Sequence, residues 1–181
     1  MIKKLLDWLY FFFELLATHN MLFTKMYIKF HTYSVKKEIE MAGLKKEDKI
    51  LHIGCGSIPY TLIILSDVLK TKVVGIDINQ KVVDNARNLL KKFEKYDSII
   101  IDKAEGVKYN VLPFNVIIIS YGINQHDLVL KHVIDSVCKK SKVIIRGSNL
   151  EKNKYIGKIV EKYYTKKIRL LLTQDTILLV I

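Results

Sequence analysis

The sequence predicts an α/β fold in three layers: a mostly parallel sheet covered by helices on both faces, with an antiparallel hairpin at one edge and helices ahead of it. Three observations carry this. From residue 49 onward, short runs dominated by Ile and Val alternate with longer stretches of helical period. Those runs are almost continuously apolar, as in strands buried on both faces. Residues 167–181 break the alternation with two apolar runs in succession, which reads as a hairpin.

Taken in order, residues 1–42 differ in character from the rest of the chain. Leu5 to Ala17 is intensely apolar and aromatic, with Lys3 and Lys4 ahead of it. It is shorter than the roughly 20 apolar residues that span a bilayer, and Asp7 and Glu14 interrupt it. Those acids, and the lack of a small-x-small cleavage site, argue against a signal peptide. Asp7 and Glu14 are seven apart and share one face of a helix. Three readings stay open: a helix that packs on the core as a lid, an interfacial helix on a membrane with Trp8 and Phe11 to Phe13 inserted, or a homodimer interface. A second helix is expected over 21–42, closed by Gly43. Strands are expected at 49–53, 72–76, 98–101, 115–120 and 142–146, with helices at 59–70, 80–94, 127–139 and 151–163. The hairpin pairs 167–173 with 176–181 around Gln174-Asp175. The expected organisation is a helical segment, 1–42, that serves as lid or as membrane- or partner-binding element, and one domain, 43–181.

The chain has 181 residues, half of them apolar, enough for one domain with a sizeable core. Its two cysteines, Cys55 and Cys138, lack metal-ligand or disulfide-framework spacing, which fits a reducing, cytoplasmic setting. The five histidines, His19, His31, His52, His126 and His132, form no paired ligand motif, so no metal site is expected. The net charge of +12 is almost all lysine; arginine occurs only at 87, 146 and 169. Nucleic-acid readers favour arginine for its bidentate geometry. Solvated lysine faces are therefore favoured over a nucleic-acid partner, with an anionic partner as the alternative.

The motif with chemical content is Lys49-Ile-Leu-His-Ile-Gly-Cys-Gly-Ser-Ile-Pro-Tyr-Thr61, succeeded by Lys72-Val-Val-Gly-Ile-Asp-Ile78. It reads as strand, glycine turn, helix, strand, and an acid at that strand's end. Asp77 lies 23 residues after Gly54. Open α/β sheets hold adenosine-bearing cofactors in this way: glycines let backbone N–H groups approach the ligand, and the acid accepts hydrogen bonds from two ribose hydroxyls.

With these elements in this order, residues 43–181 resemble the class I S-adenosylmethionine-dependent methyltransferases, a Rossmann-like α/β/α fold with a seven-stranded sheet and a C-terminal antiparallel hairpin. NAD-binding domains share the first half, but the glycine turn lacks their full pattern and the hairpin favours the methyltransferase topology. The resemblance implies S-adenosyl-L-methionine as cofactor and S-adenosyl-L-homocysteine as product. It implies that Gly54, Cys55 and Gly56 hold the amino-acid portion and that Asp77 binds the ribose. Ile78 would pack beside the adenine, and Asp102, with Ala104 close by, would reach the adenine amine. Ser120 to Ile123 fall where cofactor and substrate meet.

Two departures stand out. The acid usual two residues before the first glycine is His52, which when neutral could accept a hydrogen bond; a core histidine with a structural partner is the competing reading. The third glycine is replaced by Ile58, with Pro59 after it. In this respect Gly54-Cys-Gly-Ser-Ile-Pro-Tyr-Thr61 is similar to the nicotianamine synthase turn, and Lys131 to Ser148, ending in Arg146-Gly-Ser148, is similar to that family's helix and fifth strand. That resemblance implies transfer of the aminocarboxypropyl group instead of methyl. The departures also leave room for a non-catalytic S-adenosylmethionine-binding protein.

For catalysis the candidate region is Ser120-Tyr-Gly-Ile-Asn-Gln-His126, where Tyr121, Asn124 and His126 would orient or deprotonate an acceptor. It lacks the Asn/Asp-Pro-Pro-Tyr/Phe motif of many amino-group methyltransferases. The competing reading is that Asn124 and His126 shape a turn and Asp127 caps the next helix. The expected function is methyl transfer to a small molecule closed in by residues 1–42, to a membrane lipid, or to a macromolecule that covers the site itself. The expected location is cytoplasmic or peripheral to a membrane through residues 1–20.

Overall fold

The computed structural model describes residues 20–147, 150, 153–170 and 174–181. The apolar stretch Leu5 to Ala17 lies outside the described residues. The first described helix, α1 (Met21–Ala42), starts at Asn20, whose side chain accepts from the Leu22 N–H at 2.9 Å. It ends at Gly43, where φ is +54° and the backbone N–H returns to the carbonyls of Glu40 and Ile39. Lys142 Nζ adds a hydrogen bond to the Gly43 carbonyl at 2.9 Å, a cation at the negative end of the helix.

Five strands then follow, each succeeded by a helix except β3, which leads directly to β4: β1 (Ile50–Ile53), α2 (Tyr60–Leu69), β2 (Val73–Asp77), α3 (Gln80–Phe93), β3 (Ile99–Lys103), β4 (Val116–Ile119), α4 (His126–Ser136), β5 (Lys142–Gly147) and α5 (Lys154–Lys162). The hairpin β6 (Tyr164–Leu170) and β7 (Gln174–Val180) completes a seven-stranded sheet in the order β3-β2-β1-β4-β5-β7-β6. β1 to β5 are parallel, and β7 runs antiparallel between β5 and β6. This is the expected Rossmann-like architecture with its terminal antiparallel hairpin.

The period-2 alternation of each strand sorts its side chains between two cores. Ile50, Val73, Ile101, Ile118, Ile144 and Leu178 face α1, α2 and α3. Leu51, Ile53, Ile76, Ile117, Val143 and Ile145 face α4 and α5. Both faces of the central strands are dry, which explains why they read as unbroken Ile/Val runs.

The hairpin register differs from the sequence reading. The first strand begins at Tyr164, directly after α5, and Gln174 and Asp175 belong to β7 instead of the turn. Asp175 stands opposite Gly147 on one side and Arg169 on the other. Pairing with the full length of β5 decides this. Each added ladder pair satisfies backbone groups that a turn at 174–175 would leave open. The aromatic and β-branched Tyr164-Thr165 start the strand earlier than the Ile/Leu run suggests.

Candidate functional site

The chain leaves β1 toward α2 on one face of the sheet and leaves β4 toward α4 on the other. A crevice therefore opens at the carboxyl ends of β1 and β4, the switch point where open α/β sheets bind ligands. Gly54 (φ +79°) and Gly56 (φ +73°) form the turn there. A side chain at Gly54 would collide with Ile123 Cγ2, so the β4 loop itself packs against the bare turn. The Gly54 and Cys55 N–H groups both donate to the Ile76 carbonyl, at 2.8 and 3.0 Å, and fix the turn to the end of β2.

Asp77, half-buried at that end, is held from two sides. Its Oδ2 accepts from the Gly56 N–H at 3.3 Å and its Oδ1 from the Asn79 N–H at 3.0 Å. Asn79 caps α3 by accepting from the Lys81 N–H. The Ala104 N–H donates to the Asp77 carbonyl at 3.0 Å, which brings the end of β3 alongside. Beside Asp77, Ile78 is 67% exposed, an uncovered apolar side chain at the rim of the crevice. Asp102 is the penultimate residue of β3 and pairs with Arg87 at 3.4 Å. Arg87 also donates twice to the Ile101 carbonyl, so this acid is tethered to α3.

Two residues placed in the cofactor set by sequence lie beneath the turn. Cys55 is 3% exposed, and burial, with the nearby Asp77 charge, pushes its thiol up to about 12. Its side chain therefore supports the turn from inside as a neutral apolar group. His52 is 2% exposed, and neither ring nitrogen has a hydrogen-bond partner among the described residues. Burial, reinforced by the positive Arg146, holds its pKa well below the usual histidine range and keeps it neutral.

The charge that His52 feels belongs to a buried polar cluster that sequence reasoning missed. Arg146 on β5 is 5% exposed and donates to Glu38 on α1 through Nε, at 2.8 Å, and through Nη2. Its Nη1 donates to Thr61 Oγ1 at 2.9 Å, and Thr176 Oγ1 donates to Glu38. Burial opposes this guanidinium charge, but Glu38 and Tyr60 together outweigh it and hold Arg146 more firmly protonated than usual. Next to it, His31 of α1 stacks on Tyr60 at 4.2 Å between ring centroids. The available signal was Arg146 itself, a charge at an inward position of an otherwise apolar strand, which demands a buried partner.

On the other side of the crevice, the Ser120 N–H donates to the Ile53 carbonyl. His126 Nε2 lies 2.9 Å from the Ser120 carbonyl, a bond that requires this nitrogen to carry the proton. The loop 120–126 is thereby closed on itself, with Tyr121 half-buried and Asn124 exposed. Asp127 does not cap α4, the competing reading of the sequence; Gln125 holds the N-cap position, with φ +63° and no side-chain capping bond. Asp127 sits in the first turn and accepts from Asn153 Nδ2 at 2.7 Å, which ties α4 to the start of α5. An open cleft of about 460 Å³ lined by Asp127, Asn153, Lys154, Tyr155 and Lys158 adjoins these helix starts.

The fold has counterparts among known proteins. A family model for protein-L-isoaspartate(D-aspartate) O-methyltransferase (PCMT) matches residues 25–165. L-histidine 2-aminobutanoyltransferase from Yersinia pestis is 26% identical over 127 residues, 70% of this chain and 47% of its own. The chain thus spans about half the length of that curated relative. Among solved structures, a mutant of MtNAS, a nicotianamine synthase, superposes with a TM-score of 0.77 at 13% identity, over 93% of this chain and 68% of its own. An RNA methyltransferase from Salinibacter ruber, in complex with S-adenosyl-L-homocysteine, gives a TM-score of 0.65 at 14% identity, over 82% of this chain and 90% of its own.

Proposed function

From the premise that the chain belongs to the protein-L-isoaspartate(D-aspartate) O-methyltransferase (PCMT) family, within the class I S-adenosylmethionine-dependent superfamily, we propose that it is a methyltransferase acting on a small-molecule or lipid acceptor. The observation that carries the cofactor part of this reading is Asp77, fixed by the Gly56 and Asn79 N–H groups at the mouth of the β1/β4 crevice; the family match is what favours methyl transfer. Each Asp77 oxygen has lone-pair capacity left after those bonds, as two ribose hydroxyls require. Gly54 and Gly56 keep the turn free of side chains where the amino-acid portion would lie. Ile78 and Ala104 offer apolar contact to an adenine, and Ser120 borders the same crevice. Asp102 would reach the adenine amine only with its remaining acceptor capacity, since Arg87 holds it. Cys55 and His52 act from below, as support for the turn.

The bound cofactor supplies an electrophilic carbon on a sulfonium. The chain's own contribution is position and electrostatics. Tyr121 and Asn124 border the site where an acceptor would sit and would orient it. His126, with Nε2–H committed to the Ser120 carbonyl, holds that loop in shape; proton removal through this nitrogen would require the bond to break. A second reading has a specific observation behind it. The turn Gly54 to Thr61, with Pro59 and the stacked Tyr60, is similar to nicotianamine synthases, and the curated relative transfers an aminobutanoyl group. The products discriminate. Incubation with S-adenosylmethionine and candidate acceptors, L-histidine among them, should release S-adenosylhomocysteine for methyl transfer and methylthioadenosine for aminocarboxypropyl transfer. Asp77→Ala should abolish micromolar cofactor binding in calorimetry. Folded wild type that fails to bind the cofactor sinks both readings.

A further inference from the structure

The outer face of α1 remains unexplained by the crevice. Leu22, Met26, Phe30 and Tyr33 are spaced four, four and three apart, so they form one row about 16 Å long. They are 66%, 58%, 60% and 68% exposed, with Phe23 at 43% beside them. The opposite face, Thr24, His31, Val35 and Glu38, is buried. A continuous row of this kind marks an interaction surface. Lys25, Lys29 and Lys36 flank it, and its acid, Glu40, is engaged by Lys37 at 2.7 Å. Along the lysine flank runs a cleft of about 490 Å³ lined by Lys25, Ile28, Lys29, Thr32, Phe93, Lys95 and Tyr96. Lys95 there also pairs with Asp67 at 3.4 Å.

We infer that this face of α1 docks the protein on an anionic bilayer, with the row Leu22–Met26–Phe30–Tyr33 in the interfacial layer and the flanking lysines against the lipid headgroups. Apolar area and electrostatic attraction to anionic lipid are the two terms that set interfacial binding, and α1 presents both on adjoining faces. The net charge of +12 has the sign this requires. A second copy packed antiparallel fits poorly, because that two-fold contact through the row would bring the lysine flanks together. A nucleic acid would leave Leu22 and Met26 without apolar partners. Among the described residues no helix is long and apolar enough to cross a membrane, so the contact is peripheral. Docking through α1 does not depend on which group the crevice transfers.

Flotation of the full chain with phosphatidylcholine vesicles, with and without phosphatidylserine, tests it. Wild type should float with the anionic vesicles, less so as salt rises, and not with the neutral ones. Lys25→Glu with Lys29→Glu should weaken binding about tenfold or more. Leu22→Glu with Met26→Glu should abolish it, with thermal unfolding unchanged because these side chains are exposed. Wild type that does not float overturns the inference. So does flotation that both pairs of substitutions leave intact, or that persists on neutral vesicles. Light scattering that shows a dimer lost on Leu22→Glu, without vesicle binding, assigns the face to a second copy. Salt-sensitive capture by an RNA oligonucleotide, without vesicle binding, assigns it to nucleic acid.

Discussion

His31 and His52 are the residues whose burial has the most direct consequence in solution. Burial, helped by the Arg146 charge, lowers the pKa of His31 from 6.5 to about 4, and His52 shifts the same way. Above the unfolded value both states are neutral and nothing depends on pH. Below it the unfolded chain takes up protons that the native state refuses, so stability falls as pH drops from about 6.5 toward 4. For His31 the loss at pH 5 is on the order of 2 kcal/mol. Urea unfolding at pH 7 and pH 5 should show this, and His31→Phe should flatten part of the slope. A stability independent of pH across that window would mean that these rings ionise in the fold. A histidine before a glycine turn can serve as a ligand contact or sit in the core; its side of the strand decides, and β1 turns His52 toward the helices.

At the level of elements, the Glu38–Arg146 pair joins α1 to β5 across 108 residues of chain. Removing one partner leaves a buried charge without compensation, which costs about 3–5 kcal/mol. Arg146→Met should therefore be severely destabilising. Arg146→Met combined with Glu38→Leu should recover most of the loss, because both charges are gone. Chemical denaturation of the two single variants and the double variant closes this cycle; additive losses would contradict the coupling. Most elements were legible because their signals are local. Gly43 marks the end of α1, and Ile/Val runs mark the strands. The hairpin was placed three residues late because its register depends on β5, which is remote in sequence.

For the whole molecule, cofactor binding and folding are linked. A ligand that binds only the native state stabilises it by about 2.7 kcal/mol at a hundred times its dissociation constant. S-adenosylhomocysteine should therefore raise the Tm of wild type in proportion to the logarithm of its concentration and leave Asp77→Ala unmoved. An equal shift in both would locate binding outside the crevice. The sheet order β3-β2-β1-β4-β5-β7-β6 makes that crevice inevitable, since successive connections reverse direction between β1 and β4.

The sequence by itself determined the fold class, the number and order of strands, the glycine turn and its acid at Asp77. All of these rest on local pattern: period, turn chemistry and spacing within one βαβ unit. Only the tertiary structure decided which side of each strand a polar residue occupies relative to its neighbours. It buried His52 and Cys55 under the turn, closed the His126 loop on Ser120, joined Glu38 to Arg146 and left one face of α1 apolar and bare. Those outcomes depend on contacts between residues far apart in the chain, where burial and the need to pair every enclosed charge override what the local sequence suggests.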